Sequence, residues 1–379
     1  MPRYELFTSE SVTEGHPDKV ADQISDAILD EAISIDKFAK VAVETLVTRG
    51  NIVLAGEIRL AGDGAARVIQ QSEEIARKVI RDIGYTTCAS GLEWGGCKVL
   101  VMLGGQSVEI GEAVDRGGAG DQGMMIGYAT DETPQLMPLP IQVAHELTAR
   151  LALVRRENPD LGLLPDGKSQ VTVAYLDGKP DHFDTIVVST QHSPALGERD
   201  VADIVHQMII APVLDMHPEY NKQEPKTWIN PSGSFTIGGP EADTGLTGRK
   251  IIVDTYGGLA HHGGGSFSGK DPSKVDRSAA YAARLVAKNI VAAGLAKKCE
   301  IRIAYAIGIA DPVAIGVDTF GTGAIPDADI EDMVFKRFDL TPRGIIEMLD
   351  LRRPIYLPTA KNGHFGKPQF SWEQIINLQ

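Results

Sequence analysis

Three cysteines in 379 residues, Cys88, Cys97 and Cys299, with no C-x-x-C pair, exclude a disulfide framework and a cysteine zinc site. Long apolar runs are missing as well, so nothing reads as a membrane span or a secretory leader, and the expectation is a soluble cytoplasmic protein. Positive charge is scarce: 37 Lys and Arg stand against 51 Asp and Glu, a net charge of −14. That balance excludes a broad surface for nucleic acid or anionic lipid, and any anion must be met by a local basic cluster. Aromatic residues are only 6% of the chain, and Trp94 and Trp228 read as packing residues. No Ser-His-Asp pattern or reactive-cysteine setting stands out.

Glycine is plentiful: 40 residues, above average usage, as in proteins with many tight loops or backbone-lined sites. The length suits two or three domains. A helix begins after Gly15-His16-Pro17, with Val20, Ala21, Ile24 and Ile28 on one face and Asp22, Asp26 and Asp30 as a solvated acidic stripe on another. Strands 39–48 and 52–60 follow, joined at Gly50-Asn51, then a helix over 65–83. The middle third predicts a helix over 135–157, strands 169–176 and 185–190, and a helix over 200–210 ending before Pro212. The last third predicts a helix over 272–293, strands 300–310 and 314–320, and helices near 329–338 and 342–349. Helix, strand, strand, helix thus appears three times. This order argues for an α+β fold of three similar units, 1–103, 117–231 and 233–372, with helices on one face of mostly antiparallel sheets.

The chemistry concentrates at Gly263-Gly264-Gly265-Ser266-Phe267-Ser268-Gly269-Lys270-Asp271. Residues 249–256 ahead of it read as a strand; behind it Asp271 is a plausible N-cap and Pro272 a first helical residue. A glycine loop at a helix N-terminus suits phosphate. The segment from Gly264 to Lys270 almost matches a P-loop, but Asp271 stands where Ser or Thr would hold Mg²⁺. Gly118-Ala119-Gly120-Asp121-Gln122-Gly123 matches a dinucleotide fingerprint in spelling only. No strand leads into it, residues 124–128 look extended, and Asp121 would repel a pyrophosphate. His261-His262 lacks zinc-site spacing. Lys168, Arg249, Lys250, Lys270 and Lys274 would together cradle a polyphosphate, beside which Asp18 and Asp276 fit only as ligands of divalent cations. The residues alone therefore lead to an enzyme using ATP and Mg²⁺.

Three segments, Gly15-His16-Pro17-Asp18-Lys19, the 118–123 glycine loop and the 263–271 stretch, resemble the signatures of the S-adenosylmethionine synthetase (methionine adenosyltransferase) family, and the likeness runs from about Leu6 to Gly366. It implies three α+β units about a pseudo-threefold, tetramers built from tight dimers, and active sites between two subunits. It implies attack of methionine sulfur on C5′ of ATP and hydrolysis of the displaced triphosphate to pyrophosphate and phosphate. By resemblance His16 would bond the departing oxygen, and Lys168, Arg249, Lys250, Lys270 and Lys274 would join it as catalytic groups. Asp166, Gly167, Lys168, Ser234, Phe235, Asp243 and Ser266 match nucleotide contacts, Phe235 stacking on adenine. Glu57, Gln106, Asp121, Asp243 and Lys274 match methionine contacts. Asp18 and Asp276 would hold two Mg²⁺ per site, and Glu44 would hold K⁺. Two departures stand out: Ser266 occupies a position where the family is expected to have alanine, and the segment at Asp115-Arg116-Gly117-Gly118 is short.

Overall fold

The computed structural model describes residues 3–87, 92–105 and 118–376. In order, its principal elements are β1 (Glu5–Val12), α1 (Pro17–Ile35), β2 (Lys40–Thr48), β3 (Asn51–Arg59), α2 (Gly64–Ile83) and β4 (Lys98–Gly104). Then come β5 (Gly123–Thr130), α3 (Leu139–Glu157), β6 (Leu163–Leu176), β7 (Lys179–His192), α4 (Glu198–Val205) and β8 (Lys226–Ile229). The last third holds β9 (Gly245–Leu246), α5 (Ile251–Asp254), α6 (Val275–Ala292), β10 (Lys298–Tyr305), β11 (Ala314–Asp318), α7 (Asp327–Arg337) and α8 (Pro342–Met348).

The three sheets run β4-β3-β2-β9, β1-β6-β7-β8 and β11-β10-β5, antiparallel except for β3 with β4 and β7 with β8. Each third of the chain lends one strand to the next sheet in a cycle. Strand β1 pairs β6 of the central third, β5 pairs β10 of the last, and β9 pairs β2 of the first. Helices α1 and α6 fill the middle of the core shared by the first and last thirds. Fourteen of the 19 residues of α1 are buried, and α6 is Ala-rich and buried almost all round, as a helix enclosed on every side must be. The central third keeps a core of its own, with α3 and α4 packed on β6 and β7.

Local chemistry accounts for most element ends. Pro17 takes the first position of α1, and Nδ1 of the cap residue His16 accepts the Asp18 N–H. The β2–β3 hairpin closes Thr48 on Asn51, so the two turn residues are Arg49 and Gly50, the latter at φ +62°. Helix α2 ends on Gly84 at φ +115°.

Besides the turn pair, expected at Gly50-Asn51 and found at Arg49-Gly50, five expectations are corrected. Residues 249–256 do not form a strand: they hold the single-turn α5. A strand would turn Val253 and Asp254 to opposite faces, yet both are buried, Asp254 against the buried Lys19. Helix α6 starts at Val275, not Pro272, because the Asp271 carboxylate is engaged by the Val41 and Ser273 N–H groups in a turn ahead of the helix. Helix α4 does not stop before Pro212; a π turn over His206–Ile210 carries it into a last turn, Ala211–Leu214, that accommodates the missing proline N–H. Trp228 is 55% exposed on β8 rather than packed. The acidic stripe of α1 is not solvated either, and its role belongs with the site.

Candidate active site

Asp18, Asp22, Asp26 and Asp30 recur once per turn along α1, and each carboxylate takes backbone N–H groups from the last third of the chain. Asp18 Oδ1 accepts from Leu246 at 2.9 Å, Asp22 Oδ1 from Gly248 at 2.8 Å and Asp26 Oδ1 from Gly269 at 2.8 Å. Asp30 takes Tyr356 at 2.9 Å and Leu357 at 2.8 Å. Buried carboxylates need such donors and a counter-charge. Lys19 lies between Asp22 at 2.9 Å and Asp254 at 2.5 Å, and Arg277 grips Asp26 with two nitrogens at 2.7 and 2.9 Å. The sequence held one signal of this: apart from Lys19, α1 carries no Lys or Arg to interleave with its acids, as a solvated acidic face normally does.

Two sets of candidate residues result. In the first, Asp18 is ion-paired with Lys250, and Arg249 Nε stands 3.7 Å from its other oxygen. His16 lies alongside, almost fully buried, its Nδ1 4.0 Å from Asp18 Oδ2. Burial and the cations Lys250, Lys168 and Lys19 push its pKa down to about 3, against the pull of Asp18. Because Nδ1 accepts the Asp18 N–H, the neutral ring carries its proton on Nε2, where it is a donor. Strand β6 brings in Asp166, Gly167 and the exposed Lys168; Lys168 lies opposite Val12, and Thr13 N–H bonds Gly167 O at 2.9 Å. Burial pushes the Asp166 carboxyl up to about 6, although its Oδ2 accepts the Gly239 N–H at 2.8 Å. His192, which sequence reasoning missed, fixes the half-buried Phe235: its Nε2 accepts the Phe235 N–H at 3.1 Å. Ser234 and Asp243 are exposed, and Asp243 Oδ1 accepts the Thr244 N–H at 2.9 Å.

The second set surrounds the 263–271 loop. Lys270 bridges Ala42 on β2 and pairs with Asp276 at 2.5 Å, while Lys274 pairs with Asp271. Gly265 permits this approach, since a Cβ there would lie 2.9 Å from Asp276 Cγ. Glu44 sits two residues beyond Ala42, and Glu57 lies directly opposite Ala42 on β3. Asp121 is exposed just ahead of β5, whose first residue, Gly123, borders Asp276. Ser266 packs on Gly248, where a Cβ would come within 2.7 Å of it. Gln106 and most of the short segment at 115–118 lie outside the described residues.

Among the described residues no ion pair joins the two sets. Strand β9 meets β2 at Leu46 and Val47, and Lys270 meets it at Ala42, so their docking points lie about 14 Å apart along the strand, with Ser266 against Gly248 between them. Each set offers cations for phosphate and, in Asp18 or Asp276, a carboxylate of hard oxygen donors paired with those cations. Among the described residues no three His, Cys, Asp or Glu side chains converge as a metal cage. Such a donor set fits a divalent cation that takes its remaining ligands from phosphate oxygens and water.

Models of S-adenosylmethionine synthetase match the chain nearly end to end: the N-terminal domain over 4–108, the central domain over 116–235 and the C-terminal domain over 237–374. The S-adenosylmethionine synthase of Desulfosudis oleivorans is 55% identical over 382 residues, covering 98% of this chain and 96% of that protein. That of Helicobacter hepaticus is 56% identical over 380 residues, covering 99% and 96%, and that of Desulforudis audaxviator is 54% identical, covering 98% and 96%. With three domains matched in order and more than half of all residues identical over the whole length, the chain belongs to the S-adenosylmethionine synthetase family.

Proposed function

We propose that this protein makes S-adenosylmethionine from ATP, L-methionine and water. The observation that carries the reading is His16, held neutral with Nε2–H as donor, beside the Asp18–Lys250–Arg249 group. A sulfur lone pair forms the new bond to C5′ while the C5′–O bond breaks, its electron pair leaving on the triphosphate, in which water then cleaves one P–O–P link to give pyrophosphate and phosphate. Sulfur is already nucleophilic, so no base is required, and the protein's task is alignment and stabilisation of the leaving charge. His16 Nε2–H donates to the departing oxygen. Lys168, Arg249, Lys250, Lys270 and Lys274 hold the triphosphate, the last four exchanging their carboxylate partners for phosphate oxygens. Phe235 stacks on adenine, with Asp166, Gly167, Ser234, Asp243 and Ser266 around the nucleotide. Glu57, Gln106, Asp121, Asp243 and Lys274 bind methionine.

Asp18 and Asp276 would each hold Mg²⁺, two ions per site, which when bound neutralise charge on the triphosphate; Glu44 would hold K⁺. The complete site forms between two copies, in a tetramer of tight dimers, with β9 and Lys270 docked about 14 Å apart along β2 in one chain. The outer face of the β4-β3-β2-β9 sheet, with Leu100 at 45% and Met102 at 61% exposure, supports such pairing. We place the enzyme in the cytoplasm; among the described residues no helix is long and apolar enough to cross a membrane. Incubation with ATP, methionine, Mg²⁺ and K⁺, followed by mass spectrometry, should yield the sulfonium product with pyrophosphate and phosphate. ADP in place of the sulfonium would make the protein a phosphoryl-transfer enzyme and sink the reading.

A further inference from the structure

Besides the Thr247 and Ser25 hydroxyls, 2.8 Å apart, the segment carrying Arg249 and Lys250 is fastened to α1 at three points. Gly245 lies flat on the helix start, where a Cβ would come within 2.1 Å of Pro17 O; Leu246 N–H bonds Asp18; and Gly248 N–H bonds Asp22. The first two fastenings involve residues that face the ligand side or adjoin Asp18 directly. Asp22 differs. It is 0% exposed, touches neither Arg249 nor Lys250, and is itself fixed by Lys19, which Asp254 holds from the far side. One carboxylate oxygen goes to Lys19 and the other to Gly248. Gly248 is held at φ +78° and pressed against Ser266, so its amide has little freedom once Asp22 has taken the N–H. The trio is costly: two buried carboxylates share one ammonium, and burial with the neighbouring Asp254 charge pushes Asp22 up to about 7. What that arrangement secures is the direction in which the next two residues leave the helix.

We infer that Asp22 is a positioning residue, which clamps the Gly248 amide so that Arg249 and Lys250 are presented together to an oligophosphate beside Asp18. The inference rests on the ATP reading above. Asp18 exchanges partners when a ligand arrives, whereas Asp22 has no access to one and keeps the arm registered throughout. Two cations on consecutive residues grip one phosphate chain only if the backbone between them is fixed, because each long side chain otherwise wanders separately. The effect therefore falls on the phosphate side of the site and leaves the methionine side alone.

The test compares full-length wild type with Asp22→Asn and Asp30→Asn, measuring ATP, tripolyphosphate and methionine binding by calorimetry with Mg²⁺ present. Asp30 is the control. It occupies the same stripe of the same helix and makes the same kind of backbone contact, but to Tyr356 and Leu357, away from Arg249 and Lys250. For Asp22→Asn, ATP and tripolyphosphate affinities should both fall about tenfold or more, with methionine affinity unchanged. Asp30→Asn should lower the melting temperature without touching tripolyphosphate affinity. Should Asp22→Asn prevent folding, Gly248→Ala carries the test, since it leaves Lys19, Asp22 and Asp254 in place and displaces the same amide against Ser266. Wild-type tripolyphosphate affinity in a folded Asp22 or Gly248 variant overturns the inference, as does an equal loss in Asp30→Asn. A wild type that binds ATP but forms no sulfonium product refutes the synthetase reading and leaves this inference standing; a wild type that binds neither ATP nor tripolyphosphate refutes both.

Discussion

Replacing Asp26 by alanine leaves the Arg277 guanidinium, 0% exposed, without the carboxylate that holds it by two nitrogens at 2.7 and 2.9 Å. Arg277 keeps only neutral partners, the Thr359 hydroxyl at 3.0 Å, the Lys270 carbonyl at 3.1 Å and the Tyr281 hydroxyl at 2.9 Å. Uncompensated buried charge of this kind costs about 3–5 kcal/mol. The Gly269 N–H loses its acceptor as well, a buried donor worth about 1–3 kcal/mol. The two penalties overlap, and about 4 kcal/mol is expected, a fall in melting temperature of roughly 5 °C for a chain of this size. The double variant Asp26→Leu with Arg277→Met removes both charges and should recover the charge-related part of that loss, while the Gly269 N–H stays unpaired, because an apolar pair has no charge to desolvate. Scanning calorimetry on the two variants decides the matter. A single variant that melts within about 2 °C of wild type, or a double variant no more stable than the single, would refute the assignment of this pair as a matched buried charge.

Lys270→Ala should lower kcat about ten- to a hundredfold with the fold intact, through loss of charge-assisted phosphate bonds of about 1.5–3 kcal/mol; unchanged kcat in steady-state assays removes Lys270 from the phosphate grip. Acid sensitivity should trace partly to His145, which burial and the charges of Lys367 and Lys19 hold down to about 3. The unfolded chain takes up this proton below pH about 6.5 while the folded chain refuses it until about 3, so stability falls as pH drops through that window, by about 3 kcal/mol at pH 4. In urea titrations at pH 7 and pH 4, His145→Gln should lose less stability between the two values than wild type; an identical loss contradicts the neutral buried state.

Much of the molecule was legible in the sequence. Alternating apolar residues over 40–48 and 51–59 with a glycine at the turn specify the first hairpin, and small and apolar residues from Val275 to Ala292 specify a buried helix. These are local patterns, read off a period of 2 or 3.6 and a turn residue. The strand expected at 249–256 shows where local reading stops: β-branched propensity there yields to the demand of Lys19 for a second carboxylate, supplied by Asp254 from 235 residues away.

The candidate site divides along the same line. The kinds of side chain needed, lysines and arginine for phosphate, carboxylates for cations and glycines for close approach, are written in the sequence because chemistry depends on residue type. Their grouping is not. Only the tertiary structure sets Asp18 with Lys250 and Lys270 with Asp276 as two sets, since β9 and the 269–271 segment dock about 14 Å apart along one strand. It alone turns the acids of α1 inward: a carboxylate every fourth residue means solvent or core depending on what packs against it, and here that is the backbone of a segment more than two hundred residues further along the chain.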